Sequence, residues 1–180
     1  MPAGPSSAAR QIVHTATAAG ITVATAESLT AGQVAAALAD VPGASAVLQG
    51  GVVAYQNHVK QRVLGVDAER LRLHGAVDPE VAGQMAAGAR RVCRADVGVA
   101  TTGVAGPEPH QGRPVGTVWV GLSAPAAFAD ALTALVESTG GQWAGEESIA
   151  VPLRADGGRA RIRATATARA LELLRRALQG

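Results

Sequence analysis

Apolar positions recur along this chain with two periods, and the switches between them divide it into elements. Residues 7–19 set Ala9, Ile12, Val13 and Ala16 on one face of a helix that stops at Gly20. Ile21–Ala26 reads as a short strand, and Leu29–Ala39 as an alanine-rich helix ended by Asp40-Val41-Pro42-Gly43. Val47–Tyr55 is a second strand, interrupted by Gly50-Gly51. Asn57 is placed to cap a short helix through Leu64, and Asp67–Leu73 forms another. Asp78-Pro79-Glu80 opens a longer helix to about Arg94, with proline at the first helical position. Val97–Thr101 is a buried-type strand, Gly103–Pro114 a loop, Val115–Leu122 a strand, Ser148–Leu153 an edge strand and Ala160–Leu178 the last helix. Residues 124–147 show no clear period and read as an insertion in a hairpin or a strand–helix connection, and residues 1–6 as a flexible tail.

Strands alternating with helices predict an α/β layered fold around a mainly parallel or mixed sheet. At 180 residues the chain fits one domain, taken as 7–180, large enough to bury a real core. Aromatics are 2% of residues, so alanine, valine, leucine and isoleucine must build that core and close helix–sheet packing is expected. No apolar run approaches the roughly 20 residues that span a bilayer, and Met1-Pro2-Ala3-Gly4-Pro5 lacks a leader pattern. The expected location is cytoplasmic. One cysteine, Cys93, leaves no intrachain disulfide and lies in a helical alanine-rich stretch as a buried inert thiol. His14, His58, His74 and His110 make no metal-ligand pattern, so no metal and no other cofactor is expected. A net charge of +2 with few aromatics argues against nucleic-acid binding, although residues 154–176 carry seven arginines against Asp156 and Glu172.

Four segments carry candidate chemistry. Of the 16 lysines and arginines only Lys60 is a lysine, five residues after the only tyrosine, Tyr55. An arginine stays charged, whereas burial can tune a lysine into a base. Lys60 is therefore either a base or a solvated surface charge. Thr25-Ala26-Glu27-Ser28-Leu29-Thr30 lies where a strand gives way to a helix, so Ser28 is either a helix cap or a nucleophile served by free N–H groups. Thr101-Thr102-Gly103-Val104-Ala105-Gly106-Pro107 follows a strand and is either a plain turn or an anion-binding loop. Gly157-Gly158-Arg159-Ala160-Arg161-Ile162-Arg163 opens a helix with three arginines, of which at most two share a face.

Taken together, Thr25–Thr30, Gly51-Val52-Val53-Ala54-Tyr55-Gln56-Asn57 with Lys60 and Leu64-Gly65-Val66, His74-Gly75-Ala76-Val77, Thr102–Pro107 and Arg113-Pro114-Val115-Gly116-Thr117-Val118-Trp119 resemble the C-terminal domain family of the competence-damage protein CinA. The likeness runs over residues 8–122 and again over about 157–178. It implies a three-layer α/β/α fold and usually a homo-oligomer. It also implies a metal-independent amidase that converts nicotinamide mononucleotide and water to nicotinate mononucleotide and ammonia. In that likeness Ser28 is the nucleophile and Lys60 its base. Tyr55 and Thr102 line the site and assist, and Glu27, Thr30, Gly103, Gly106 and Arg159 serve substrate binding, the last three on the phosphate side. The chain departs from the family in the loop Glu108-Pro109-His110-Gln111-Gly112, which lacks a glycine pair, and in Gly158, which replaces an acid. It also departs in a long 124–147 segment able to overhang the site. The altered 108–112 loop and Gly158 motivate the alternative of a non-catalytic pyridine-nucleotide binding or regulatory paralogue.

Overall fold

The computed structural model describes residues 4–180. Of the tail expected over residues 1–6, residues 1–3 lie outside the described residues, and Ser6 is the cap of the first helix, its Oγ accepting from the Ala9 N–H at 3.1 Å. In chain order the elements are α1 Ser7–Ala19, β1 Val23–Glu27, α2 Gln33–Ala39, β2 Leu48–Val53, α3 Asn57–Arg62, α4 Ala68–His74 and α5 Pro79–Cys93. They continue with β3 Val97–Gly103, β4 Thr117–Ser123, α6 Ala129–Thr139, β5 Gln142–Trp143, β6 Ser148–Arg154 and α7 Arg159–Ala177.

The strands form one open mixed sheet in the order β2-β1-β3-β4-β6-β5. β1 runs parallel to both β2 and β3, and the β3/β4, β4/β6 and β5/β6 pairs are antiparallel. The fold is α/β, with helices on both faces. One face buries Val23, Val97, Val99, Val120, Leu122, Ile149 and Val151 under α1, α2, α6 and α7. The other buries Ala24, Ala26 and Ala100 under Leu64, Leu71 and the α5 residues Val81, Met85, Ala86 and Ala89. The alternation along β1 and β3 is therefore one of size: large residues face one helix layer and small ones the other. A Cβ on Gly98 would stand 2.0 Å from the Ala86 carbonyl oxygen, and one on Gly121 2.1 Å from that of Ala82. Those two glycines let α5 lie directly on the sheet, which is how a core nearly free of aromatics reaches close packing.

The sequence placed most elements to within a few residues, with three differences. The 124–147 segment is α6 followed by the short β5, not an overhanging insertion. Leu132 and Leu135 of α6 are buried in the first layer, and β5 forms the sheet edge beyond β6. Consequently β6, expected at an edge, is an inner strand with a partner on each side. Third, the helix expected from Leu29 starts only at Gln33, because residues 28–32 form a turn in which Ala31 and Gly32 have positive φ (50° and 96°).

Candidate active site

The carboxyl ends of β1, β2 and β3 lie side by side, and β6, which pairs with the outgoing β4, delivers α7 to the same end. Open α/β sheets collect their functional groups at such an edge. Here Ser28 follows β1, Tyr55 and Lys60 follow β2, Gly103–Pro107 closes β3, and Arg159 opens α7. A cavity of about 490 Å³ opens at this edge, lined by Ser28, Tyr55, Lys60, Thr102, Arg159 and the loop from Gly103 to Gln111. Among the described residues, no three His, Cys, Asp or Glu side chains gather as a metal site. Nor is any helix long and apolar enough to cross a membrane.

Lys60 is 1% exposed, on the short helix α3. Its Nζ donates to Ser28 Oγ at 3.0 Å, to the Ala54 carbonyl at 2.8 Å and to the Tyr55 carbonyl at 3.1 Å. None of these partners carries charge, so no opposite charge offsets the cost of burying an ammonium, and desolvation lowers its pKa from 10.5 to about 8. The geometry has a chemical consequence. An ammonium fills all three bonds as donor. The neutral amine has two N–H groups, which the two carbonyls take, and one lone pair, which is left facing the serine hydroxyl.

Ser28 is 9% exposed, and its own N–H is held by the Thr101 carbonyl at 2.9 Å. The N–H groups at the start of α2 are committed elsewhere. Glu27, 1% exposed, accepts from the Gly32, Val34 and Ala35 N–H groups at 2.9, 3.0 and 2.8 Å and from the Thr30 hydroxyl at 2.6 Å. Glu27 thus caps α2 from upstream, which is why the helix starts late and why its N-terminus does not serve Ser28. Thr30 is fully buried and also bonded to Thr101 Oγ1 at 2.7 Å. Neither Glu27 nor Thr30 lines the cavity; the structure gives both to the turn that presents Ser28, not to a substrate.

Thr102 lines the cavity, but its hydroxyl donates to the Ala76 carbonyl at 2.7 Å, so its proton is not free for an oxyanion. Gly103 and Gly106 form the wall beyond it, Gly106 at φ 84°. Arg159 donates to the Gly106 carbonyl at 2.8 Å and to the Tyr55 hydroxyl, spanning the mouth from one wall to the other. Tyr55 is 48% exposed, its ring accessible beside the cavity.

Some participants carried no readable signal. The Ala54, Tyr55 and Thr101 carbonyls act through backbone position alone. Gln111 lies in the departing loop at φ 48°, and its side-chain oxygen accepts from the Ala76 N–H at 3.2 Å, pinning that loop to the wall that Thr102 also holds. Arg163 donates to the Leu29 and Thr30 carbonyls at 2.9 and 3.0 Å. Its spacing from Arg159, one helical turn, was the available clue. Cys93 is only partly buried, and burial pushes its thiol pKa up, away from thiolate character.

Comparison with known proteins gives a consistent picture. The model of the CinA C-terminal domain matches residues 5–178. A CinA-like protein of Frankia casuarinae is 43% identical over 159 residues, covering 88% of this chain and 32% of that protein. A putative competence-damage inducible protein of Bacillus pumilus is 52% identical over 104 residues, covering 58% of this chain and 25% of that protein. The chain thus spans a third or less of these curated relatives. The crystal structure of the competence/damage inducible protein CihA from Agrobacterium tumefaciens superposes over 100% of both chains with a TM-score of 0.82 at 36% identity.

Proposed function

The chain belongs to the CinA C-terminal domain family, and on that premise we propose that it is a metal-independent nicotinamide-nucleotide amidase. It hydrolyses the carboxamide of nicotinamide mononucleotide to nicotinate mononucleotide and ammonia, in pyridine nucleotide recycling. The observation that carries this reading is the buried Lys60 Nζ at 3.0 Å from Ser28 Oγ, with uncharged partners at its other two positions.

In the first step neutral Lys60 takes the Ser28 proton as Oγ attacks the carboxamide carbon. The resulting ammonium stays beside the new C–O bond, a positive charge next to the forming oxyanion at the buried floor of the cavity. It takes over the stabilising role that neither the start of α2 nor the Thr102 proton is free to play. When the C–N bond breaks, Lys60 returns its proton to the departing nitrogen, and ammonia leaves. Water, deprotonated by the same amine, then clears the acyl-enzyme. Tyr55 offers its accessible ring to the pyridinium, and Arg159 exchanges the Gly106 carbonyl for the substrate phosphate.

The test is incubation of the purified chain with nicotinamide mononucleotide, following ammonia and nicotinate mononucleotide together. Equal accumulation of both supports the reading. Saturable binding of the nucleotide without either product favours a binding or regulatory module instead, and absence of both binding and product rejects the substrate.

A further inference from the structure

The Ser28–Gly32 turn is held by two charged residues that sequence reasoning did not assign to it. From the α2 side, the Glu27 carboxylate gathers the Gly32, Val34 and Ala35 N–H groups. From the opposite side, Arg163 of α7 meets two successive carbonyls, Nε on Leu29 and Nη2 on Thr30. In a trans peptide the N–H points away from the C=O of the same plane. Fixing the Thr30 carbonyl on Arg163 therefore also fixes the Ala31 N–H, which donates back to the Ser28 carbonyl at 3.2 Å. Ala31 itself sits at φ 50°, a left-handed conformation that an alanine keeps only when its surroundings impose it. Leu29, Ile162 and Ala166 pack together and seat α7 against this turn.

We propose that Arg163 is a positioning residue for the Ser28 hydroxyl, holding the turn through the Leu29 and Thr30 carbonyls so that Oγ stays within reach of Lys60. The proposal rests on Ser28 being the nucleophile. Arg163 does not line the cavity, so it acts through the turn and not on substrate. Its planar fork spans two adjacent carbonyls, which a single ammonium cannot do with the same geometry. Helix α7 thus serves the site twice, through Arg159 at the mouth and, one turn later, through Arg163 behind the nucleophile.

The experiment compares the full chain with its Arg163→Gln, Arg163→Lys and Arg161→Gln variants. Arg161 is exposed on the same helix and controls for loss of charge. The readouts are the rate at which a fluorophosphonate probe labels Ser28, the kcat and KM for ammonia release from nicotinamide mononucleotide, and the melting temperature. Arg163→Gln is expected to lower labelling and kcat by about 10²-fold, the scale of a misplacement of about 1 Å. KM should stay within about twofold, Arg163→Lys should recover part of the loss, and Arg161→Gln should match wild type. Unchanged labelling in Arg163→Gln, an equal loss in Arg161→Gln, or a change confined to KM would overturn the proposal. If Arg163→Gln does not fold, Arg163→Lys decides: reduced labelling with KM kept supports the proposal, and wild-type labelling overturns it. A wild type that labels at Ser28 without releasing ammonia removes the substrate reading but leaves the labelling comparison standing. If wild type takes no label, amide hydrogen exchange over residues 28–32 decides. Faster exchange in Arg163→Gln but not in Arg161→Gln supports the proposal, and equal exchange overturns it.

Discussion

The pH dependence of turnover follows from how Lys60 is buried. Its pKa is lowered to about 8 by desolvation, and in the proposed reaction only the neutral amine can accept the Ser28 proton. The neutral fraction is then about 9% at pH 7, half at pH 8 and about 91% at pH 9, so kcat/KM should rise about tenfold between pH 7 and 9 and level off above. A nucleotide phosphate has its second pKa near 6 and is already about 90% dianionic at pH 7, so the substrate does not reproduce the rise. The assay is initial-rate ammonia release at low substrate across this range. The same shift sets a stability gradient. The folded pKa lies below the unfolded one, so between about pH 8 and 10.5 the unfolded chain binds more protons and stability rises with pH. The burial cost is present in full below about pH 8, amounts to roughly 3 kcal/mol, and is gone above about pH 10.5. Comparing urea unfolding of wild type with Lys60→Met removes other alkaline titrations: the difference should move in favour of wild type by about 3 kcal/mol across the window. A kcat/KM flat from pH 7 to 9, or a difference between the two proteins that does not change with pH, would refute the argument.

Two further substitutions probe the scaffold. Glu27→Ala leaves three N–H groups at the start of α2 and the Thr30 hydroxyl without their acceptor, and should cost about 3–5 kcal/mol by urea unfolding, with Glu27→Gln intermediate. Asp78→Ala removes the α5 cap and both bonds from Arg70, and should cost about 2–3 kcal/mol in the same measurement while leaving the pH midpoint of turnover unchanged.

The legible parts of this protein are those written in local pattern. The Asp78-Pro79-Glu80 start and the Gly20 stop are chemical statements about one helix end each, and both stand in the structure. The lone lysine was legible because fifteen alternatives were arginine. What could not be read is what depends on partners far along the chain. Glu27 looked like a substrate ligand because nothing local shows that a carboxylate can reach forward eight residues to cap α2 and delay it to Gln33. Thr102 was expected to line the site and assist, and nothing local shows that its hydroxyl proton is held by the Ala76 carbonyl, 26 residues away. The 124–147 segment lacked a clear period because only Leu132 and Leu135 of α6 are buried, a stripe too narrow to read as amphipathic.

In the proposed reaction Ser28 attacks and Lys60 moves its proton. The most direct test is ammonia release from nicotinamide mononucleotide by Ser28→Ala and Lys60→Arg beside wild type, with folding checked by circular dichroism. Wild type is expected to turn over and each variant to fall by at least about 10³-fold, since removing either member of such a pair disables the same step. Turnover at the wild-type rate in either folded variant would contradict this mechanism.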